Sequence, residues 1–283
     1  DYLSYKFKHK AASFAISKNV PIKTMITDSK FAKVNFITSN NFKNFYQQVA
    51  NFDSYNFNSN FKLASNINFA SNLIQANNKN TNKNLYGISN NLQHQLKKFT
   101  LNYNFAFYKE EESLAGMSGN QAFNIANYSN SNNFAVSFLS NFKSKWNYLL
   151  NINWLKLNPK YNDNFINGSK NFNSINYALG TIYQKDKFNQ LGLIFSQPAM
   201  INKGNLTFTL PTSIDSNNII ITDSMTVNFA DYKEYNAELF WQKGFSAQNN
   251  LQINLIHKFF DYSHDYANQD NITELYLKYV KNF

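Results

Sequence analysis

The chain has 283 residues, 51 of them Asn, with 28 Phe and 18 Tyr but only 8 Gly, 4 Pro and no Cys. That length suits one large domain or two ordinary ones, and the lack of Cys excludes a disulfide framework, a thiolate metal site and a thiol nucleophile. The net charge is +10 and all 27 basic residues are Lys; the lack of Arg argues against bidentate recognition of phosphates or bases, and the surplus reads as Lys solvated on loops and turns, with no nucleic-acid partner.

Charged residues make up 16% of the chain, against about 25% in an ordinary soluble domain, yet mean hydropathy is −0.49. Asn supplies the missing polarity. No run approaches the ~20 apolar residues of a membrane helix. The opening DYLSYKFKHKAASFAIS lacks the apolar block of a signal peptide. With no initiator Met in view, the expectation is a C-terminal piece of a longer protein.

In chain order, the expected strands are 31–38, 42–52, 61–74, 84–95, 97–108, 132–142, 145–157, 173–184, 187–197, 224–242, 249–260 and 271–283. FTLNYNFAF, Phe99 to Phe107, puts Phe, Leu, Tyr, Phe and Phe at odd positions and Thr, Asn, Asn and Ala at even ones. That is strand periodicity with one apolar face. NFAVSFLSNF repeats it through Phe134, Val136, Phe138 and Phe142. WNYLLNINW gives Trp146, Tyr148, Leu150, Ile152 and Trp154; SINYALGTIY gives Ile175, Tyr177, Leu179 and Tyr183. KFNQLGLIF adds Leu191, Leu193 and Phe195, and LQINLIHKF adds Leu251, Ile253, Leu255 and Phe259. The first two strands alternate poorly.

A soluble sandwich also alternates, but its strands average about 5–6 residues and its exposed face carries more charge. Segments of about ten residues, with a second face of Asn, Ser, Thr, Gln and Ala and aromatics at both ends, match a transmembrane antiparallel β-barrel. The connections agree. Short joins fall at Gln184–Lys187, Lys143–Lys145 and Leu96–Lys97. Long ones fall at Lys109–Ser131, Asn158–Phe172, Pro198–Asp223 and Asp261–Asp270. The expectation is an all-β barrel of about twelve strands over 31–283, in the bacterial outer membrane, with membrane lipid as surroundings.

The chain closes on ELYLKYVKNF. Phe283, Tyr279, Leu277 and Leu275 share one parity, interrupted by Lys281. This resembles the C-terminal signal of bacterial outer-membrane proteins, which implies the barrel-assembly machinery as a partner. FSQPAMINKGNLTFTLP, Phe195 to Pro211, resembles the SQP…G-x-L-T-L-P segment in the barrels of subtilisin-type serine-protease autotransporters. The residues that carry it are Ser196, Gln197, Pro198, Gly204, Leu206, Phe208, Leu210 and Pro211. NFADYKEYNAELFWQKGF, Asn228 to Phe245, is similar to the strand that follows, and TDSKFAKVNF, Thr27 to Phe36, to the entry into the first strand. Lys and Asn stand where the family has Arg and Gly.

The resemblance implies a translocator and anchor domain of type V secretion. An N-terminal passenger, a subtilisin-like serine protease, would cross the outer membrane with the barrel's help. Residues 1–30 would then be linker and the end of the passenger. VPIKTMIT, Val20 to Thr27, would lie in the pore, either as a short helix begun by Pro21 or as an extended strip. Pro198 and Pro211 suit the bends of an outer loop, with Leu206, Phe208 and Leu210 on one arm of a hairpin. A monomer is expected.

No Gly-x-Ser-x-Gly elbow, phosphate-cradling loop or paired-His spacing occurs. The His residues are His9, His94, His257 and His264. HKFFDYSHDY brings His257, Asp261, His264 and Asp265 close in sequence, but His257 has the apolar parity of a girdle residue. Glu110–Glu112 reads as a solvated loop rather than a Ca²⁺ site, which needs several oxygens from a shaped loop. Neither metal nor cofactor is expected, and no catalysis by this chain. Two classes stay open: a translocator for a passenger, or a stand-alone porin-like or enzymatic barrel.

Overall fold

A computed structural model of the chain describes residues 3–9, 11–21, 52–78, 83–114, 117–118, 125–140, 145–161, 166–186, 189–229, 232–245, 249–262 and 270–281. Among them there is no α-helix. The principal element is a thirteen-stranded antiparallel sheet. Its strands are β1 (Leu3–His9), β2 (Ala12–Pro21), β3 (Phe52–Ala64), β4 (Ile67–Asn78), β5 (Asn84–Gln95), β6 (Phe99–Glu111), β9 (Tyr128–Ser140), β10 (Trp146–Lys160), β12 (Phe172–Gln184), β13 (Gln190–Lys203), β16 (Tyr232–Gly244), β17 (Asn249–Tyr262) and β18 (Ile272–Lys281). Every strand pairs with its neighbour in this order. Short strands lie in the connections: β7 (Ser113–Leu114) pairs with β8 (Met117–Ser118), and β11 (Ile166–Gly168), β14 (Asn205–Ile214) and β15 (Ile220–Asn228) form a three-stranded sheet.

Alternation explains the main sheet directly. Apolar groups meet apolar groups in register: Leu101↔Phe138 and Phe138↔Leu150, then Leu150↔Leu179 and Leu179↔Phe195. Rings pair across strands, with centroids 4.8 Å apart for Phe105 and Phe134 and 5.1 Å for Trp146 and Tyr183. Such cross-strand pairs are the unit of sheet stabilisation, at about 0.2–1 kcal/mol each.

The sheet is consistent with a barrel wall but is not closed: β1 and β18 are its two edges. Thirteen strands make twelve antiparallel steps, so β1 and β18 run in the same direction. One end of the sheet carries tight turns, such as Ser65–Asn66 and Leu96–Lys98. At the other end lie the longer connections that hold β7, β8, β11, β14 and β15.

Several expectations need correction. Leu3–Pro21 was expected as linker; it forms β1 and β2 of the main sheet instead. Val20 and Pro21 therefore end a strand, while 22–27 lie outside the described residues. The strand expected at 61–74 is a hairpin turning at Ser65–Asn66. Phe61 and Phe69 pair on one face, so parity runs unbroken through the turn and hides it. The strand expected at 224–242 is two strands, β15 and β16, in different sheets; again Met225, Val227 and Tyr235 keep one parity across the break. Among the described residues the main sheet has thirteen strands, where about twelve were expected for the whole chain. The strand expected at 31–38 and most of that at 42–52 lie outside the described residues.

Candidate functional site: an exposed apolar belt over a buried polar face

The two faces of the sheet are inverted relative to a water-soluble protein. Leu179 is 59% exposed and Leu275 68%. Phe107, Tyr148, Ile152, Leu193 and Trp241 are exposed with them. On the opposite parity, Asn151 is 1% exposed, Asn153 2% and Glu238 0%. Ser89, Ser131, Asn133, Asn147, Asn176 and Ser196 are likewise buried. A soluble domain hides its large apolar side chains and solvates its amides. Here hydrogen bonds among side chains hold the hidden face: the Ser137 hydroxyl donates to Asn151 Oδ1 at 2.8 Å, and Asn104 Nδ2 to Ser89 Oγ at 3.2 Å.

Charge on that face concentrates at β16–β18. Asn254 Nδ2 donates to the buried carboxylate of Glu238 at 2.5 Å. Lys258 Nζ lies 2.6 Å from Glu274 Oε1, and the Tyr276 hydroxyl donates to Glu274 Oε2 at 2.8 Å. None of these residues stood out in the sequence. Even parity on three neighbouring strands was the available signal, since Glu238, Asn254, Lys258, Glu274 and Tyr276 all share it.

At the long-connection end the buried face turns apolar. Ile74, Leu85, Tyr108, Leu155 and Phe172 pack with Leu114 of β7, Ile166 of β11 and Leu206 of β14. The Ile125, Phe208 and Phe229 side chains pack against this cluster. The connections thus fold inward over the strand ends. Tyr161 sits beside them; its hydroxyl donates to the Ser169 carbonyl at 3.3 Å, and burial pushes its phenol up to about 12.

Ser196, Gln197 and Pro198 lie within β13, not in an outer loop. The β13–β16 ladder stops at Ser196↔Asn236, just before Pro198, which has no N–H to offer a ladder. The β12–β13 register also shifts beside Pro198, between Ile175 and Tyr177. There the Gln197 amide donates to the Ile175 carbonyl at 3.2 Å. Gly204 then turns the chain into β14 at φ +135°, a conformation open to Gly. A Cβ at that position would run into the Phe172 ring. Leu206, Phe208 and Leu210 lie on β14, the first arm of a hairpin with β15. Pro211 sits at a register shift within it. The far part of the hairpin is solvent-facing, with Ile214, Ile219, Ile220 and Met225 exposed.

Glu110 and Glu111 are not loop residues: both belong to β6, and Glu110 is buried. Glu112 follows at φ 50° and pairs with Lys83. His257 lies on the exposed apolar parity, its Nδ1 2.7 Å from Thr273 Oγ1 and its ring against Phe259. Asp261 is the penultimate residue of β17 and is exposed. His264, Asp265 and Phe283 fall outside the described residues. Leu275, Leu277 and Tyr279 share the exposed face of β18. Among the described residues no group of His, Cys, Asp or Glu is placed to hold a metal ion. Compared with known families and with curated proteins, the chain matches no family model and no curated sequence.

Proposed function

We propose that this chain forms a transmembrane β-barrel of the bacterial outer membrane and serves as the translocator and anchor of a type V secretion protein. The observation that carries the membrane reading is the inversion of the two faces. An exposed belt of Phe, Leu, Ile, Tyr and Trp, interrupted on β3 to β5 by the row Ser59, Ser71 and Asn90, exceeds the few hundred Å² of apolar patch a soluble monomer tolerates. Hydrocarbon accepts that belt and requires the backbone hydrogen bonding that a closed sheet supplies. Tight turns at one end and elaborated connections at the other support the same reading.

The translocator role rests on the Ser196–Pro211 resemblance and on the hairpin those residues lead into. The passenger would be a subtilisin-like protease encoded upstream, and this chain itself would carry no catalysis. Replacing residues 209–224, which span the hairpin from Thr209↔Ser224 outward, by Asn-Gly should leave the barrel heat-modifiable on gels. Surface display of the passenger should fall. Unchanged display would remove the hairpin's role, and an upstream region lacking Asp, His and Ser in a protease arrangement would remove the protease.

A stand-alone barrel is favoured by one observation: Leu3–Pro21 is strand, where a translocator reading expects linker. A signal peptide directly abutting Asp1 in the full gene would establish that alternative.

A further inference from the structure

One cross-strand row on the exposed face, near its long-connection end, carries Lys at both ends. Lys18 pairs with Tyr55, Tyr55 with Gln75, Gln75 with Tyr86, and Tyr86 with Lys109. The row reads Lys-Tyr-Gln-Tyr-Lys across β2 to β6, and all five side chains are exposed. The row below it is wholly apolar: Ile16↔Phe57, Phe57↔Leu73, Leu73↔Ile88 and Ile88↔Phe107. Between the rows lies a groove of about 370 Å³, lined by Ile16, Tyr55, Phe57, Leu73, Gln75 and Tyr86 among others. It sits toward the long-connection end: Tyr55 is three residues on from the start of β3 and Tyr86 two on from the start of β5.

We infer that this row and groove bind an anionic glycolipid of the outer leaflet, a phosphorylated, multiply acylated sugar of the lipid A class. The inference rests on the membrane reading above, with the long connections outside. Five strands make four inter-strand steps, so the two Lys stand about 19 Å apart along the row. Flexible stems let each ammonium lean inward. That spacing suits two phosphates on one head group better than a single phosphodiester. Tyr55, Gln75 and Tyr86 between them offer hydroxyl and amide groups to sugar hydroxyls, and Tyr belongs at this interfacial depth. The groove takes one acyl chain, and the apolar row extends the contact for others. Lys18 lies over the Tyr55 ring within the row at 5.5 Å, whereas Lys109 lies over Tyr128 of β9 at 5.2 Å and has to swing back toward Tyr86 to meet the same ligand. Among the described residues, Glu111 accepts from Asn84 at 3.0 Å and Glu112 pairs with Lys83.

The test uses the full chain folded in detergent and native mass spectrometry. Three probes are compared: lipid A with both phosphates, lipid A with both removed, and dioleoyl phosphatidylglycerol. The wild-type chain should retain bisphosphorylated lipid A. Lys18→Gln with Lys109→Gln should lower retention by roughly tenfold or more, since each basic residue contributes about 1 kcal/mol toward an anionic lipid. Lys97→Gln with Lys98→Gln removes the same charge from the opposite end and should change nothing. Equal losses in the two variants would overturn the site. So would equal retention of the dephosphorylated lipid, or one-for-one competition by phosphatidylglycerol. A wild-type chain that forms no heat-modifiable barrel would instead sink the membrane reading on which the site depends.

Discussion

Leu179 separates the membrane reading from any aqueous one. It is exposed, it lies in register between Leu150 and Phe195, and no polar group shares its row there. In water, Leu179→Lys at such a site falls within about 0.5 kcal/mol of neutral. Facing hydrocarbon near mid-bilayer, it should cost about 2–4 kcal/mol. Reversible unfolding of the two proteins in lipid bilayers measures the difference, and a neutral result would remove hydrocarbon from this face. Phe283 poses a separate question at the same scale. Its proposed role is recognition by the assembly machinery, not packing. Deleting it should slow insertion in an assembly assay while leaving the melting temperature of the finished barrel nearly unchanged. Equal insertion rates would count against the recognition role.

The hairpin of β14 and β15 depends on how the chain leaves the wall. Pro198 ends one ladder, and Gly204 redirects the strand at a φ that residues with a Cβ rarely adopt. The Phe172 ring fills the space a Cβ would need, and Phe229 N–H donates to the Gly204 carbonyl at 3.0 Å. Gly204→Ala should therefore destabilise the connection by about 1–3 kcal/mol and loosen the apolar cluster around Leu206. Limited proteolysis within 205–228 should rise while the strands of the wall stay protected. An unchanged cleavage pattern would mean that the connection tolerates the side chain. β1 raises the converse problem. At 7 residues it is shorter than the roughly 9–11 that span a bilayer, whereas β2 has 10 and most others 12 to 15.

Direction and length together bear on how the whole molecule closes. An open edge is untenable in hydrocarbon. β18 and β1 run the same way, so their direct pairing would be parallel; β18 and β2 run oppositely. On the barrel reading proposed above, antiparallel closure joins β18 to β2 and displaces β1. The chain has no Cys, so engineered pairs report without background. Single cysteines along Thr273–Tyr279 should cross-link to cysteines along Ala12–Lys18, with positions advancing in opposite directions. Cross-links from Thr273–Tyr279 to Tyr5–His9 advancing in the same direction would show a thirteen-strand ring instead.

The sequence by itself determined the local level. Period-two alternation placed β5, β6, β9, β10, β12, β13, β17 and β18 because each keeps large apolar groups on one parity and carries mostly polar or small groups on the other, away from the long-connection end. It also implied tight turns at one end and long connections at the other. Parity alone did not reveal where one strand stopped, since the turn at Ser65–Asn66 and the break between β15 and β16 both preserve it. Leu3–His9 alternates as well, with Leu3, Tyr5 and Phe7 against Ser4, Lys6 and Lys8, but the family resemblance assigned it to the linker. That the apolar parity faces outward and the polar parity inward was already the expectation of the barrel reading; which side chains meet on the hidden face was decided by tertiary structure. Glu238 and Asn254 are 16 residues apart, and Lys18 and Lys109 are joined only through three intervening strands. Such groupings depend on register between strands, and register is a property of the assembled sheet rather than of any one segment.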